Sequence, residues 1–459
     1  MGKLTTDDFS RKAYSEMLEW KRNLANKYAL LVEGARRVGK THLVRRFVEH
    51  EYDSHIFIDF SKSDREVSDT KKAFLDSSSI DDLLSRLELI FLKRLVPGRS
   101  CLVFDEVQLF PEARGMVKHF MEHGKYHYIE TGSLVGIKEN VKDILIPSEE
   151  HGLKLRPLDF EEFLDVVGAT MMKERIRDCF VHRKPLGTGI HKKAMDLFRL
   201  YMVVGGMPQS VAAYIGAEER SLEACENAKR EILRLYETDI GKYARGYAAK
   251  VRAVFRIMPS ALARHEKRFR LADIDKNARM RRYETAFLWL EDAMIANVAY
   301  NATTPDVGLG MSLDTSTLKC YSLDTGLLLT QSMGLSPETD ARILRGIRYD
   351  NIGVNEGMFF ENAVAQAIVA SGRELFFYSR RERDNPAETM EVDFLIRRGI
   401  KVCPIEVKSG GFRAHASLNR FSEKFRRYLG PKYVVCTSDY LEEGGFVYLP
   451  IYMAHCAMT

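Results

Sequence analysis

The sequence predicts an α/β protein with a parallel sheet at its N-terminal end, a long helical stretch behind it and a second α/β segment at its C-terminal end. Short apolar runs alternate with helical periodicity up to about residue 150, the pattern of strands joined by crossover helices. Residues 158–240 keep an almost unbroken helical period. From about residue 356 the order becomes helix, strand, strand, strand, helix, strand.

Residues 10–27 place Tyr14, Leu18 and Leu24 at helical spacing. Tyr28 to Glu33 reads as a buried strand, His42 to His50 as a helix and Ile56 to Phe60 as a second strand. Ile80 to Leu95 is helical in period and stops near Pro97-Gly98. Cys101 to Phe104 and Tyr126 to Glu130 complete the first set of strands. The helical stretch breaks at Lys184–Gly189 and at Gly205-Gly206, and residues 241–335 mix helices with short strands. The last segment reads as a helix over Gly357–Ser371, strands over Glu374–Tyr378, Glu391–Arg397 and Lys401–Val407, a helix over Ala416–Tyr428 and a strand over Tyr433–Thr437.

The chain has 459 residues, 45% hydrophobic and 29% charged, enough to build several cores. No apolar run reaches the ~20 residues that cross a bilayer, and the polar start at Met1–Arg11 is no signal peptide. Met1-Gly2 with Thr6 fits a myristoylation pattern and is read as a chance match. Seven scattered cysteines lack C-x-x-C spacing, which points to reduced thiols and a cytoplasmic protein without membrane contact. Net charge is +5, but residues 241–290 hold thirteen Lys/Arg against four Asp/Glu. Such a stretch is either a DNA-facing surface or a solvated helical face.

Gly34-Ala35-Arg36-Arg37-Val38-Gly39-Lys40-Thr41 satisfies G-x-x-x-x-G-K-[ST] between an expected strand and an expected helix. Glycines let the backbone wrap a phosphate with its N–H groups inward, and the following helix presents its positive end. Lys40 would bridge the β- and γ-phosphates of ATP, and the Thr41 hydroxyl would ligate Mg²⁺. Arg36 and Arg37 add charge inside the loop, aimed at phosphate or at solvent. Cys101-Leu102-Val103-Phe104 then delivers Asp105 and Glu106 at a strand's C-terminal end, where ligands collect in open parallel sheets. Asp105 would hold the Mg²⁺ shell and Glu106 would polarise the attacking water. Tyr128-Ile129-Glu130-Thr131-Gly132-Ser133 is the next strand, with Ser133, ahead of Thr131, as the group that senses the γ-phosphate.

Near the C-terminus, a two-residue turn at Gly399-Ile400 suits a type II′ hairpin. It pairs Asp393 with Glu406 and Glu391 with Lys408 on one face. Two carboxylates and a lysine are what a Mg²⁺-dependent phosphodiesterase needs, and Glu361 in the preceding helix would add a third carboxylate. The spacing resembles the PD-(D/E)xK nuclease motif, with Val392 in the usual proline's place. The competing readings are a Glu391–Lys408 cross-strand ion pair and a nuclease fold kept for docking. In the middle, Lys250, Arg252, Arg256, Arg264, Lys267, Arg268, Arg270, Arg279, Arg281 and Arg282, followed by a strand at Leu318–Ser322, suit a winged helix facing DNA phosphates. Alternatively they pair with acidic helices nearby. Tyr283, Phe287, Trp289 and Leu290 read as core.

The chain resembles, over nearly its whole length, prokaryotic predicted AAA+ ATPases that carry a C-terminal domain of unknown function with a restriction-endonuclease-like fold. Arg11-Lys12-Ala13-Tyr14 with Leu18 resembles that family's opening helix, and the Gly34–Thr41 and Thr131-Gly132-Ser133 segments its phosphate loop and sensor strand. Arg156-Pro157-Leu158-Asp159-Phe160 with Glu162-Phe163 resembles the end of the ATPase core, and Tyr201 with Gly205-Gly206-Met207-Pro208 the lid. Asp324-Thr325-Gly326-Leu327 resembles a middle signature, and Glu391-Val392-Asp393-Phe394 with Ile405-Glu406-Val407-Lys408 the C-terminal one. Members often carry Gly-Arg where this chain has Gly152-Leu153, which leaves Arg114 and Arg156 as the nearest arginine-finger candidates. The resemblance implies an AAA+ P-loop core at 1–155, a helical lid at 156–240, a basic winged-helix-like region at 241–335 and a PD-(D/E)xK-like α/β domain at 340–459. It implies ATP and Mg²⁺ as ligands and ATP hydrolysis coupled to movement of a partner; the basic 241–290 stretch makes DNA one candidate partner, beside a second copy or another protein. The alternatives are an ATP-gated, Mg²⁺-dependent DNA nuclease and a nucleotide-dependent switch or docking protein with negligible turnover.

Overall fold

A computed structural model describes residues 9–133, 148–216, 220–264, 268–274, 279–334, 345–346, 356–381 and 389–458. The chain divides into two compact units, Met1–Arg156 with Asp292–Met294, and Pro157–Glu291 with Ile295–Thr459.

In the first unit five parallel strands, β1 (Ala29–Glu33), β2 (Ser54–Asp59), β3 (Ser100–Asp105), β4 (His127–Gly132) and β5 (Glu150–Lys154), stand in the order β2-β3-β4-β1-β5. Side chains alternate between the two faces of the sheet. Leu102 and Phe104 join Ile56, Ile58 and Tyr128 in a core that includes Phe74 and Leu83. Cys101 and Val103 join Leu30, Val32 and Ile129 on Met17, Trp20, Val44 and Phe47. The second core contains side chains of Lys12–Asn23 and Lys40–Glu51, the helices before and after β1. The expected helix over 80–95 ends at Phe91, with Leu92 in left-handed geometry. The sequence pattern missed β5, because only Leu153 of its five residues is buried. It also missed the helix Arg65–Asp76, which is capped by the Asp64 side chain on the Val67 N–H.

The second unit begins with five helices, Phe160–Val166, Thr170–Val181, Thr188–Val204, Pro208–Gly216 and Leu222–Tyr243. Beyond the two expected breaks, one falls at Gly168, which has φ +79°, and another between Gly216 and Leu222. An eight-stranded sheet follows, built from β6 (Ala296–Ala302), β7 (Leu313–Ser322), β8 (Leu375–Arg380), β9 (Met390–Arg398), β10 (Lys401–Val407), β11 (Tyr433–Cys436), β12 (Leu441–Glu443) and β13 (Phe446–Pro450). Its order is β12-β13-β11-β10-β9-β8-β6-β7. This corrects one expectation. The strand assigned to a winged helix, 318–322, is the end of β7, and β6 joins it to the C-terminal strands by pairing with β8. The hairpin after β9 has the expected register, Lys401 opposite Arg398 and Ile405 opposite Phe394. Gly399, and not Ile400, takes the positive φ that a type II′ turn requires. A second departure lies between β10 and β11: the helix expected over 416–428 stops at Lys424, and a 3₁₀ turn follows over Arg426–Tyr428.

All seven cysteines are buried and unbridged. Among the described residues no helix is long and apolar enough to cross a membrane.

Three segments that the family resemblance singled out meet in the second unit. Gly205, at φ +80°, ends the helix Thr188–Val204, and a Cβ there would stand 2.4 Å from Asp324 Oδ1. Asp324 Oδ2 accepts the Gly206 N–H at 2.6 Å, and its Oδ1 caps the helix Thr325–Met333 through the Leu327 N–H at 2.9 Å. Leu158 donates its N–H to Gly206 O at 2.7 Å, and its own carbonyl accepts Tyr201 OH at 2.8 Å. Asp159 and Glu162 form the capping box of the helix Phe160–Val166. The motifs read as end of core, lid and middle region are thus one buried hydrogen-bond network.

Candidate active site

The phosphate loop lies between β1 and the helix Lys40–Glu51. Gly39, at φ +96°, is that helix's N-cap, and Arg37 also takes a left-handed φ of +69°. At Gly34 a Cβ would lie 2.5 Å from Leu155 O, so the loop's first position has no room for a side chain. Arg11 braces the loop from outside, donating to Val38 O at 3.4 Å and to Arg156 O at 2.5 Å. Arg36 and Arg37 are exposed.

Lys40 is buried, and its Nζ donates to Gly34 O at 2.9 Å, Ala35 O at 3.1 Å and Ser133 Oγ at 2.6 Å. Thr41 Oγ1 donates to Asp105, 3.0 Å from each carboxylate oxygen. Thr131 donates its hydroxyl to Asp105 Oδ1 and accepts the Glu106 N–H at 3.2 Å. The residues read from three separate strands therefore meet at the C-terminal ends of β1, β3 and β4. Ser133 sits beside Lys40, while Thr131 fixes Asp105 and the main chain of Glu106. Glu106 itself takes a left-handed φ of +55°, and Gln108 Nε2 donates to its Oε2.

Electrostatics at the site follow from burial. Desolvation pulls the Lys40 ammonium down to about 8, against the raising influence of Glu106 and Asp105. Desolvation likewise pushes the Asp105 carboxyl up to about 6, against the Thr131 and Thr41 hydroxyls. A phosphate beside Lys40 and a cation beside Asp105 would each offset that desolvation. A hydroxyl and a carboxylate together are hard oxygen donors suited to Mg²⁺. The residues present fit ATP–Mg²⁺.

The arginine-finger candidates have other partners. Arg114 is buried and pairs in bidentate fashion with Glu150, Nε at 2.9 Å and Nη2 at 2.8 Å. The guanidinium is thus held within its own unit by Glu150. Beside it, fully buried Glu130 has its pKa pushed well up by desolvation, with the negative charge of Glu150 adding to the shift. Arg156 is half-buried and offers its carbonyl to Arg11.

Residues 26–164 match a family of AAA domains. The AAA domain is followed by matches to two domains of unknown function, DUF8612 over residues 195–339 and DUF4143 over 356–453. No curated protein matches the chain. Among solved structures, the Walker-type ATPase PABY2304 of Pyrococcus abyssi is 16% identical, covering 70% of this chain and 95% of its own, with a TM-score of 0.43. Cdc6p of Pyrobaculum aerophilum is 12% identical over 74% of this chain and 93% of its own, with a TM-score of 0.27. The Drosophila ORC bound to DNA gives 12% identity over 75% of this chain and 96% of the matched chain, with a TM-score of 0.26.

In the second unit the carboxylates converge, but on a lysine absent from the sequence expectation. Lys319 of β7 is fully buried. Its Nζ lies 3.0 Å from Glu391, 3.4 Å from Glu361 and 3.4 Å from Asp393. Asp393 Oδ2 accepts the Val407 N–H at 2.9 Å. Glu406 pairs with Lys408 at 2.8 Å, so the expected Glu391–Lys408 pair is replaced by Glu391–Lys319 and Glu406–Lys408. Burial, with the Asp393 charge adding to it, pushes the Glu406 carboxyl up to about 8, and its Oε2 has no hydrogen-bond partner. Among the described residues, the group of metal-ligating side chains whose ligand atoms lie within 4.8 Å of one another is instead Glu161, His455 and Cys456. There Arg177 already grips both Glu161 oxygens, and His455 Nε2 lies 2.9 Å from Glu161.

The basic stretch divides. Arg256 forms a bidentate pair with Glu237, both contacts at 2.8 Å, and Lys250 stands over the Tyr283 ring. Arg268 and Arg270, with Phe269, Ser316, Thr317 and Arg381, line a concavity of about 330 Å³. Arg279, Arg281 and Arg282 are exposed, and Lys267 lies outside the described residues. Tyr283, Phe287, Trp289 and Leu290 are buried.

Proposed function

We propose that this chain binds ATP with Mg²⁺ in its AAA domain, hydrolyses it, and couples the cycle to movement of a partner held by the second unit. The observation that carries this is the meeting of Lys40, Ser133, Thr41 and Asp105 at the ends of three adjacent strands. Backbone N–H groups of the Gly34–Lys40 loop cradle the phosphates, and Lys40 exchanges its carbonyl partners for phosphate oxygens. Thr41 and Asp105 would hold Mg²⁺, which would supply positive charge against the phosphates. Glu106 takes the proton of the attacking water once its carboxylate turns from Gln108 toward the nucleotide. Ser133 follows Lys40 and so reports the loss of the γ-phosphate. For the partner, the Arg268–Arg270–Arg381 concavity favours a nucleic-acid backbone, because guanidinium groups suit phosphate.

Calorimetry and steady-state turnover on the full chain test the reading. Lys40→Ala should lose ATP–Mg²⁺ binding. Glu106→Gln should keep it and lose turnover by about 10²-fold or more. If the wild type shows no heat of binding at millimolar nucleotide, the proposal fails.

A further inference from the structure

Lys319 is a charge in the buried half of β7, Leu318–Ser322; the first half of the strand, Leu313–Thr317, is exposed or half-buried. Leu318, Cys320 and Tyr321 beside it are buried as well. An ammonium has three N–H donors, and three carboxylates surround this one, at 3.0 Å from Glu391 and 3.4 Å from each of Glu361 and Asp393. The Phe377 ring centroid lies 5.2 Å from Nζ, a distance at which an aromatic quadrupole attracts a cation. Tyr321, two residues along and on the same side of β7, donates its hydroxyl to Glu361.

We propose that Lys319 is the resident cation of the C-terminal carboxylate cluster and that the cluster is assembled without a divalent metal. This goes beyond the ATPase reading and does not depend on it. A phosphodiesterase built on Asp393, Glu361 and their neighbours would hold Mg²⁺ among these oxygens. Here a covalently tethered ammonium already stands among them. A divalent ion between the same carboxylates would lie within a few ångströms of a fixed positive charge that is itself fully buried. Moving the lysine aside would leave a fully buried ammonium without its carboxylates, and an unpaired buried charge is costly. On this proposal the Glu361–Glu391–Asp393 cluster is a carboxylate–lysine fold centre and not the metal site of a nuclease.

The test uses nucleotide-free full-length chain, with Mn²⁺ as the probe, followed by electron paramagnetic resonance and thermal unfolding. Wild type and Asp393→Asn should bind Mn²⁺ identically, and wild-type unfolding should be the same in EDTA and in millimolar Mn²⁺. Lys319→Met, close in shape and without charge, should unfold earlier in EDTA and regain stability with Mn²⁺. It should also bind Mn²⁺ at least about tenfold more tightly than wild type, because the freed carboxylates now need a counter-ion. That gain should vanish in Lys319→Met/Asp393→Asn. The proposal is overturned if wild type binds one Mn²⁺ that Asp393→Asn removes, or if Lys319→Met matches wild type in EDTA. Should Lys319→Met fail to fold in either condition, the wild-type and Asp393→Asn comparison decides alone.

Discussion

Replacing Asp324 by alanine should destabilise the second unit by about 2–4 kcal/mol. Its carboxylate accepts the buried N–H groups of Gly206 and Leu327, at 2.6 and 2.9 Å. Orphaning a buried donor costs about 1–3 kcal/mol each, and loss of the N-cap is part of the second cost. Some is returned, because burial raises the Asp324 pKa and the folded carboxylate is itself poorly solvated. Asn in its place retains one acceptor oxygen and turns an amide toward the other donor, so Asp324→Asn should fall between wild type and Asp324→Ala. The chain has two tryptophans, Trp20 in the first unit and Trp289 in the second. Urea unfolding read by fluorescence in a Trp20→Phe background therefore follows the second unit. A change of less than about 0.5 kcal/mol, the size of an ordinary surface substitution, would refute the reasoning that these signature residues act as a structural lock.

Gly326→Ala places a Cβ 2.6 Å from the Gly205 backbone and should lower the same transition by at least about 1 kcal/mol. Arg114→Met leaves Glu150 buried without its cation, and should destabilise the first unit by about 3–5 kcal/mol in a urea titration read at Trp20. Subunit-mixing ATPase assays with the same variant should show no loss specific to its action on a neighbouring subunit. The raised Glu130 pKa contributes stability that is complete below the unfolded carboxyl range and is lost as pH rises through the folded value. First-unit stability should therefore fall from pH 5 upward at up to about 1.4 kcal/mol per pH unit, and Glu130→Gln should flatten that slope.

The phosphate loop was legible because its chemistry is local: eight consecutive residues, a strand before and a helix after. Asp105 was legible because a run of apolar residues ends on it. The β9–β10 register followed from one glycine turn. Lys319 was not legible, because its partners lie on a helix and a strand some forty and seventy residues further on. One signal was present: a lysine inside Leu318–Tyr321, a run otherwise apolar or aromatic, needs a partner if the strand is buried. The expectation of a winged helix diverted attention from it. Arg114 and Arg156 were nominated by sequence position alone, which carries no information on whether Arg114 has a partner within its own fold.

Strand pairing in the second unit bears on how the chain can be divided. The first two strands of its sheet precede residue 335, and the remaining six follow residue 370. A fragment beginning at residue 340 would uncover the β8 side that β6 now occupies, leaving a row of unpaired amides as a template for other chains. It would also leave Glu361, Glu391 and Asp393 facing one another with no ammonium between them. Proteolysis or gene fission between the two matched segments should therefore yield aggregating pieces, because in this chain both contribute strands to one sheet.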